Sequence, residues 1–271
     1  MEKSTVIGLV LGILAVCVGM VLKGASMSAL VNPAAILIII VGTIAAVMIA
    51  VPMSDLKKVP KLFKILFSEQ KLIPKKQLIQ MFIDWVSITR REGLLALESK
   101  VEEIEDPFLK NGMRMIIDGN DQEFIHDVLM EDINAMEERH RAGATIFSQA
   151  GAYAPTLGVL GAVIGLIAAL SNLNQVDQLG HLISAAFVAT LLGIFTGYVL
   201  WHPFANKLKM LSKREAEIKF MMVEGLLSIQ SGISAIAIEQ KLSVFLSPSE
   251  RYAEDSAAEE VAREQKAQAA S

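Results

Sequence analysis

Thr156, Thr190 and Tyr198, with Pro155 and Pro203, are the residues of this chain whose types could serve ion movement. Hydroxyls can solvate or relay a cation, and a proline frees a backbone carbonyl and bends a helix. All five lie within two of four long apolar stretches, Thr5–Leu22, Pro33–Met53, Ala150–Leu173 and Leu179–Ala205. These stretches are expected to hold nothing that takes up or releases a proton near neutral pH. A channel or pump built from them has to borrow its ionisable group from another protein, because a carboxylate at mid-membrane is costly and usually functional. Enzyme chemistry finds no support. The sequence has no Walker motif, no glycine-rich loop after a strand, no paired-cysteine metal pattern and no nucleophile elbow. The histidines at 126, 140, 181 and 202 are too scattered for a metal site, and His202, in Trp201-His202-Pro203, reads as an interfacial anchor. No cofactor and no metal are expected, and a net charge of −4 without a basic, aromatic-interleaved stripe excludes nucleic acid.

The elements that must position these residues are helices in a membrane. Each stretch has about the 18 or more residues that cross roughly 30 Å of hydrocarbon. A mean hydropathy of +0.46 over 271 residues fits four spans plus a large water-exposed part. The fold class is therefore all-α, a polytopic membrane protein with four transmembrane helices and a large cytoplasmic helical region. The first stretch resembles a signal peptide, but a second span follows closely and makes a retained hairpin the better reading. Lys57, Lys58, Lys61 and Lys64 follow the second span, and Lys207, Lys209, Lys213 and Arg214 follow the fourth. The connections on the other side carry only Lys23. By the positive-inside rule both termini and both long polar parts are cytoplasmic. Cys17, inside the first span, is a small apolar filler.

Helical spacing recurs through residues 54–149, in Leu78, Phe82, Trp85 and Val86 and again in Leu94, Leu97, Val101 and Ile104. Asp106-Pro107 marks a break. Asn120 with Glu123 has the form of a capping box, and the helix it opens meets no strong breaker before Pro155, so one helix of about 70 Å is expected to continue into the third span. A further amphipathic helix is expected from Asn206 to about Ile229, within a C-terminal helical part at 206–246, and the charged residues 247–271 read as a disordered tail.

Small residues line the last two spans. Gly158, Gly161, Ala162 and Gly165 recur at helical steps in the third, and Ala186, Thr190, Gly193 and Gly197 in the fourth. Gly161 with Gly165, and Gly193 with Gly197, form the pattern that lets helix backbones approach closely. These faces either pack helix on helix or ring a central space that holds a partner helix. In the second case Thr156, Thr190 and Tyr198 supply hydroxyls at a buried interface, and Pro155 is either a kink or a hinge.

The run Ala154-Pro155-Thr156-Leu157-Gly158-Val159-Leu160-Gly161-Ala162-Val163-Ile164-Gly165, then Thr190-Leu191-Leu192-Gly193, then Pro203, resembles the MotA family of flagellar stator proteins. Arg90-Arg91-Glu92-Gly93-Leu94-Leu95-Ala96-Leu97-Glu98 resembles the segment of that family that touches the rotor. The likeness extends from the first span to about residue 246. It implies a homo-oligomeric ring, a pentamer around a dimer of MotB, a single-span protein whose aspartate supplies the missing carboxylate. It also implies a rotor protein, FliG, as the target of torque and the bacterial cytoplasmic membrane as the location. Residue by residue, it assigns Pro155 and Pro203 to coupling, Thr190 to conduction, and Arg90 and Glu98 to rotor contact. On one helix those two charges would stand about 80° and 12 Å apart, too far for a direct pair. Sodium-using relatives have a threonine at the position of Ala162, which implies proton coupling here. The alternative is an energising subunit of an outer-membrane transport or secretion system, as in the TolQ and ExbB group, which shares the small-residue spans but has a different span layout.

Overall fold

The structure, a computed structural model, describes residues 3–171, 173 and 176–251, without the side chains of 176 and 177. The described residues form helices and turns without a strand. Helix α1 is Lys3–Leu22, and α2 (33–50) is Pro33–Ile36 and Gly42–Ala50 joined by a π-helical turn at Leu37–Val41. Short α3 (Met53–Leu56) and amphipathic α4 (Val59–Phe67) follow, then α5 (Lys75–Glu92), α6 (Glu98–Glu102) and α7 (Pro107–Ile117). Helix α8 runs from Gln122 to Leu170, and α9 (176–230) is Val176–Phe195 and His202–Gln230 joined by a π-helical turn at Thr196–Trp201. Helix α10 is Ala235–Ser243.

Four of these helices are long and apolar enough to cross a membrane, namely α1, α2 with the turn before it, α8 and α9. At 1.5 Å per residue the 49 residues of α8 extend about 73 Å, so the third apolar stretch is the end of a much longer helix. The side chain that caps it is Asp121, which accepts from the Phe124 amide at 2.9 Å, and not Asn120, whose amide donates back to the Met115 carbonyl at 3.0 Å. The aspartate one position later reaches the orphan N–H of the first turn, and the expected Asn120–Glu123 box does not form. Asp106-Pro107 is a helix start as much as a break. Asp106 accepts from the Leu109 amide at 2.9 Å, and Pro107 takes the first helical position, where its missing N–H costs nothing.

The chain divides into two compact units. One, the span unit, comprises residues up to Gln70 and Glu138–Ser212, and holds the four apolar stretches. Aromatic rings at its charged end, Phe63, Phe147 and Phe204, meet edge to face at 5.2–6.2 Å. The other comprises Lys71–Glu137 and the residues from Lys213 on. Its core of Leu78, Phe82, Leu109, Met113, Ile125, Leu129, Ile133 and Leu226 is fully buried, each side chain contributing roughly 1.5–3 kcal/mol. Lys75 ties this unit's C-terminal end, donating to Glu217 at 2.6 Å and to the Phe245 carbonyl at 2.7 Å. Of the tail expected from 247, residues 252–271 lie outside the described residues. Its first residues open a helical turn, with Glu250 accepting from both the amide and the hydroxyl of Ser247. Those bonds hold the Glu250 carboxyl below the usual range.

Candidate functional site

In the span unit, the small residues of α8 and α9 face each other. A methyl group added at Gly158 would sit 2.9 Å from the Gly193 Cα and the Ala189 carbonyl oxygen. One added at Gly193 would sit 2.7 Å from the Gly158 Cα and 2.8 Å from the Ala154 carbonyl. Farther along, one at Gly161 would meet the Ala189 methyl at 3.3 Å, and one at Gly165 the Ala186 methyl at 3.1 Å. Each of these four glycines thus meets the facing helix of the same chain, as helix-on-helix packing requires. Backbone-to-backbone contact of this kind is how helices associate where lipid gives no hydrophobic drive.

Pro155 belongs to the same crossing. Helix α8 continues through it, and its ring packs on Gly197, where an added methyl would fall 2.7 Å from the proline Cγ. Proline has no N–H, so the carbonyl four residues back, that of Gly151, loses its helical donor. That oxygen also faces Gly197, 2.9 Å from the same methyl position. Gly197 lies in the π-helical turn of α9. The freed carbonyl, the proline ring and the loosened turn are therefore one contact. Such turns are frequent at functional sites.

The hydroxyls divide by what they already bond. Thr196 donates to the Leu192 carbonyl at 2.9 Å, and Thr156, which is exposed, donates to the Tyr153 carbonyl at 2.7 Å. Within this chain the Thr156 hydroxyl is thus spent on its own helix. Thr190 is half-buried, and among the described residues its hydroxyl has no hydrogen-bond partner. It follows Ala189, which faces Gly161, and the half-buried Ala162 follows Gly161, so the pair assigned by resemblance to ion selection flanks one helix crossing. Tyr198 is 63% exposed. It lines an open cavity of about 410 Å³ with Pro203, Thr5 and Lys207. The Lys207 ammonium donates to the Thr5 hydroxyl, which in turn donates to the Leu66 carbonyl at 3.3 Å.

The fourth stretch holds the imidazoles of His181 and His202, which the expectation of spans without an ionisable group left out. The His202 ring packs on Tyr198 with ring centroids 5.2 Å apart and planes tilted by 46°, and covers Gly151, where an added methyl would lie 2.8 Å from the ring. It was legible as a histidine within the fourth stretch, but its packing against the proline-freed turn was not. The finding leaves the spans without a carboxylate.

Arg90 and Glu98, in the other unit, are not on one helix. Helix α5 ends at Gly93, whose φ of +87° only glycine adopts readily, and a 3-10 turn at Leu94–Leu97 precedes α6. Arg90 is in the last turn of α5 and donates to the Gly232 carbonyl at 3.4 Å. Glu98 opens α6, is exposed, and has no partner among the described residues. The strongest charge cluster nearby is one that sequence reasoning missed. Glu102 accepts from Lys110 at 2.9 Å and from Arg114 at 2.7 Å, and these bonds, that from Lys110 foremost, hold its carboxyl below the usual range. Only the folding of α7 against α6 brings the three together. No cluster that could hold a metal occurs among the described residues.

Residues 6–93 match the model of the motility protein A N-terminal family, and residues 100–220 that of the MotA/TolQ/ExbB proton channel family. The chain is 61% identical over 251 residues to motility protein A of Bacillus subtilis, covering 93% of each. Among solved structures it is similar to the flagellar MotAB stator complex from Bacillus subtilis, with a TM-score of 0.89 at 60% identity, covering 93% of this chain and 98% of that one. The C. jejuni MotAB structure gives a TM-score of 0.87 at 33% identity, covering 92% and 97%. With both family models matched in order and the likeness extending over nine-tenths of its length, the chain belongs to the motility protein A family of membrane proteins, within the MotA/TolQ/ExbB proton channel family.

Proposed function

We propose that this chain is the ring-forming membrane subunit of a flagellar stator, converting ion-motive force into torque. Its partner is a MotB-type single-span protein whose aspartate supplies the carboxylate that the four spans lack. The observation that carries this reading is the state of Thr190: an unspent, half-buried hydroxyl beside a tightly closed α8–α9 crossing, in spans without an acid of their own. A hydroxyl in that position can receive a proton carrier or water but cannot drive transport alone. Ala162 offers no oxygen, whereas sodium needs several ligands held together, so the coupled ion is the proton. Pro155, with Gly197 and the freed Gly151 carbonyl, is the element that a change of charge on the partner would bias. Pro203 and Tyr198 line the cavity where the pathway leaves the membrane.

The charges on both sides of Gly93, Arg90 and Glu98, are proposed to register the rotor protein FliG. The location is the bacterial cytoplasmic membrane, with the charged parts 54–149 and 206–246 and both termini inside, as the distribution of lysine and arginine around the spans supports. The match of residues 6–93 to the motility N-terminal model favours this reading over an ExbB- or TolQ-like energising subunit.

The test compares ion flux in liposomes. The chain purified with its partner conducts protons and the chain alone does not, while swimming of cells carrying only this stator is indifferent to sodium at fixed pH and stops with a protonophore. Flux through the chain alone, or a steep sodium dependence, overturns the corresponding part.

A further inference from the structure

A second cavity in the span unit, also of about 410 Å³, lies between α2, α8 and α9. His181, Ser184 and Ala189 of α9 line it, with Ile38 of α2 and Gly161 of α8. Asn32, at the cap of α2, accepts from the Ala35 amide at 3.1 Å and donates to the Ala185 carbonyl at 3.4 Å, which holds the start of α2 against α9. Two other polar side chains of the wall are unspent. His181 and Ser184 are exposed, stand one turn apart on α9, and have no hydrogen-bond partner among the described residues. Ser171 and Thr196, by contrast, donate to the carbonyl four residues back, at 3.0 and 2.9 Å. From His181 to Ala189 the cavity extends about 12 Å along α9. At its inner end Gly161 meets Ala189, where an added methyl would lie 3.3 Å away, and these two residues immediately precede Ala162 and Thr190. Its other end adjoins the connection 171–178, which carries no lysine or arginine and so belongs on the outer side.

Water is the filling that such a wall calls for. One water needs roughly 10–15 Å³ and two to four polar partners, so the cavity has room for many and offers an imidazole and a hydroxyl that hydrocarbon would leave unsatisfied. His181 is also the one ionisable side chain among the residues that line it; α2, α8 and the rest of α9 bring no carboxylate, lysine or arginine to the wall. Histidine is the residue type that exchanges protons between pH 5 and 8, and ionisable groups within spans mark proton relays. We infer that the cavity is a water-filled inlet from the outer face and that His181 collects the protons entering it. A hydronium ion gives its proton to the imidazole and becomes water. The imidazolium then returns that proton to water deeper in the cavity, at the level of Thr190. This role rests on the stator reading above, in which the partner's carboxylate is the final acceptor.

Proton flux is measured in liposomes holding the full chain with its partner, as the outer pH is varied. His181→Gln is expected to lose flux roughly ten-fold near outer pH 8 and little near pH 5, where hydronium is plentiful and needs no collector. Imidazole added outside restores flux to His181→Ala, which a merely structural loss would not allow. A conducting wild-type complex whose pH profile is unchanged in His181→Gln overturns this inference alone. Absence of flux through the wild-type complex overturns the stator reading, and the inference with it. Thiol labelling tests the inlet without any flux. Cys17 is the sole cysteine, so Cys17→Ser carrying either Ser184→Cys or Ile38→Cys presents one thiol, at the outer or the inner part of the wall. A membrane-impermeant thiosulfonate applied outside is expected to label both, because the reacting species is the thiolate, which forms in water. Failure of either to label from outside overturns the inlet and means that lipid or a second copy of the chain fills the cavity.

Discussion

Gly197→Ala is the most direct probe of the contact that joins Pro155 to the π-helical turn. The new methyl would fall 2.7 Å from the Pro155 Cγ, 2.8 Å from its Cδ and 2.9 Å from the Gly151 carbonyl oxygen, where ordinary contact begins at 3.4 Å. None of these atoms belongs to a flexible side chain, so α8 and α9 have to part by about 0.7 Å at this level. Overpacking of that kind costs about 1–3 kcal/mol. Replacing Pro155 with alanine as well removes the ring atoms and restores an N–H that can bond the Gly151 carbonyl. The double variant is therefore expected to recover part of the loss, with a coupling of roughly 1 kcal/mol, within the 0.5–3 kcal/mol usual for residues in contact. The assay is a double-mutant cycle on unfolding of the detergent-solubilised chain, run beside swimming speed in cells expressing each variant with the partner. If Gly197→Ala unfolds like the wild type, or if the two changes simply add, the Pro155–Gly197 contact does not hold the crossing as argued. If Pro155→Ala removes the protein from the membrane altogether, its role is in folding and not in coupling.

Reversing Arg90 or Glu98 is expected to weaken motility without changing membrane insertion or ion flux, because exposed charges at a docking face govern encounter and register more than folding; normal swimming under load in both reversals would make these charges merely solvated. Thr190→Val keeps the shape and removes the unspent hydroxyl, so proton flux should fall roughly five-fold, the equivalent of about 1 kcal/mol for one hydrogen bond, while Thr196→Val leaves flux unchanged because that hydroxyl bonds its own helix. The Glu102 carboxyl is held below its usual value by Lys110 and Arg114, so its contribution to stability is present above the ordinary carboxylate range near 4.3 and is lost as pH falls through the lowered value. Glu102→Gln should thus lower the unfolding midpoint slightly at neutral pH, with the difference vanishing in acid; a difference that grows on acidification would show the sign to be wrong.

Uninterrupted apolar length made the four membrane helices legible, and the absence of a breaker between residue 122 and Pro155 made the length of α8 legible. Hydrophobic patterning also found the α5 core positions Leu78, Phe82, Trp85 and Val86, since one buried face leaves a period in the chain. That Arg90 and Glu98 fall on different helices was hidden because apolar spacing continued past Gly93, while a single positive φ ended the helix; the glycine was the available signal. The Asn120 cap failed by one residue, since Asn120 and Asp121 are both capping types and only the folded turn decides which side-chain oxygen the first free amide meets. Nothing local announces the Glu102 cluster or the unspent hydroxyl of Thr190. Both depend on which helices close over which, and a polar atom left unpartnered is a property of its neighbours. The π-helical turns were equally hidden, since their residues, Leu37–Val41 and Thr196–Trp201, read as ordinary span sequence.

The turn at Thr196–Trp201 also sets a phase. Each residue of an α-helix advances its side chain by about 100°, and a π-helical turn accommodates an extra residue without ending the helix. Side chains after Trp201 are therefore rotated by about one such step from where uniform α-helical winding from Thr190 would aim them. Removing one residue from this turn could leave both flanks helical and hydrogen-bonded, yet it would swing Pro203 and Lys207 around the axis relative to Thr190. Chain length at this point is thus an angular setting, and a one-residue deletion here would act as a rotation where an equal deletion in a loop would act only as a shortening.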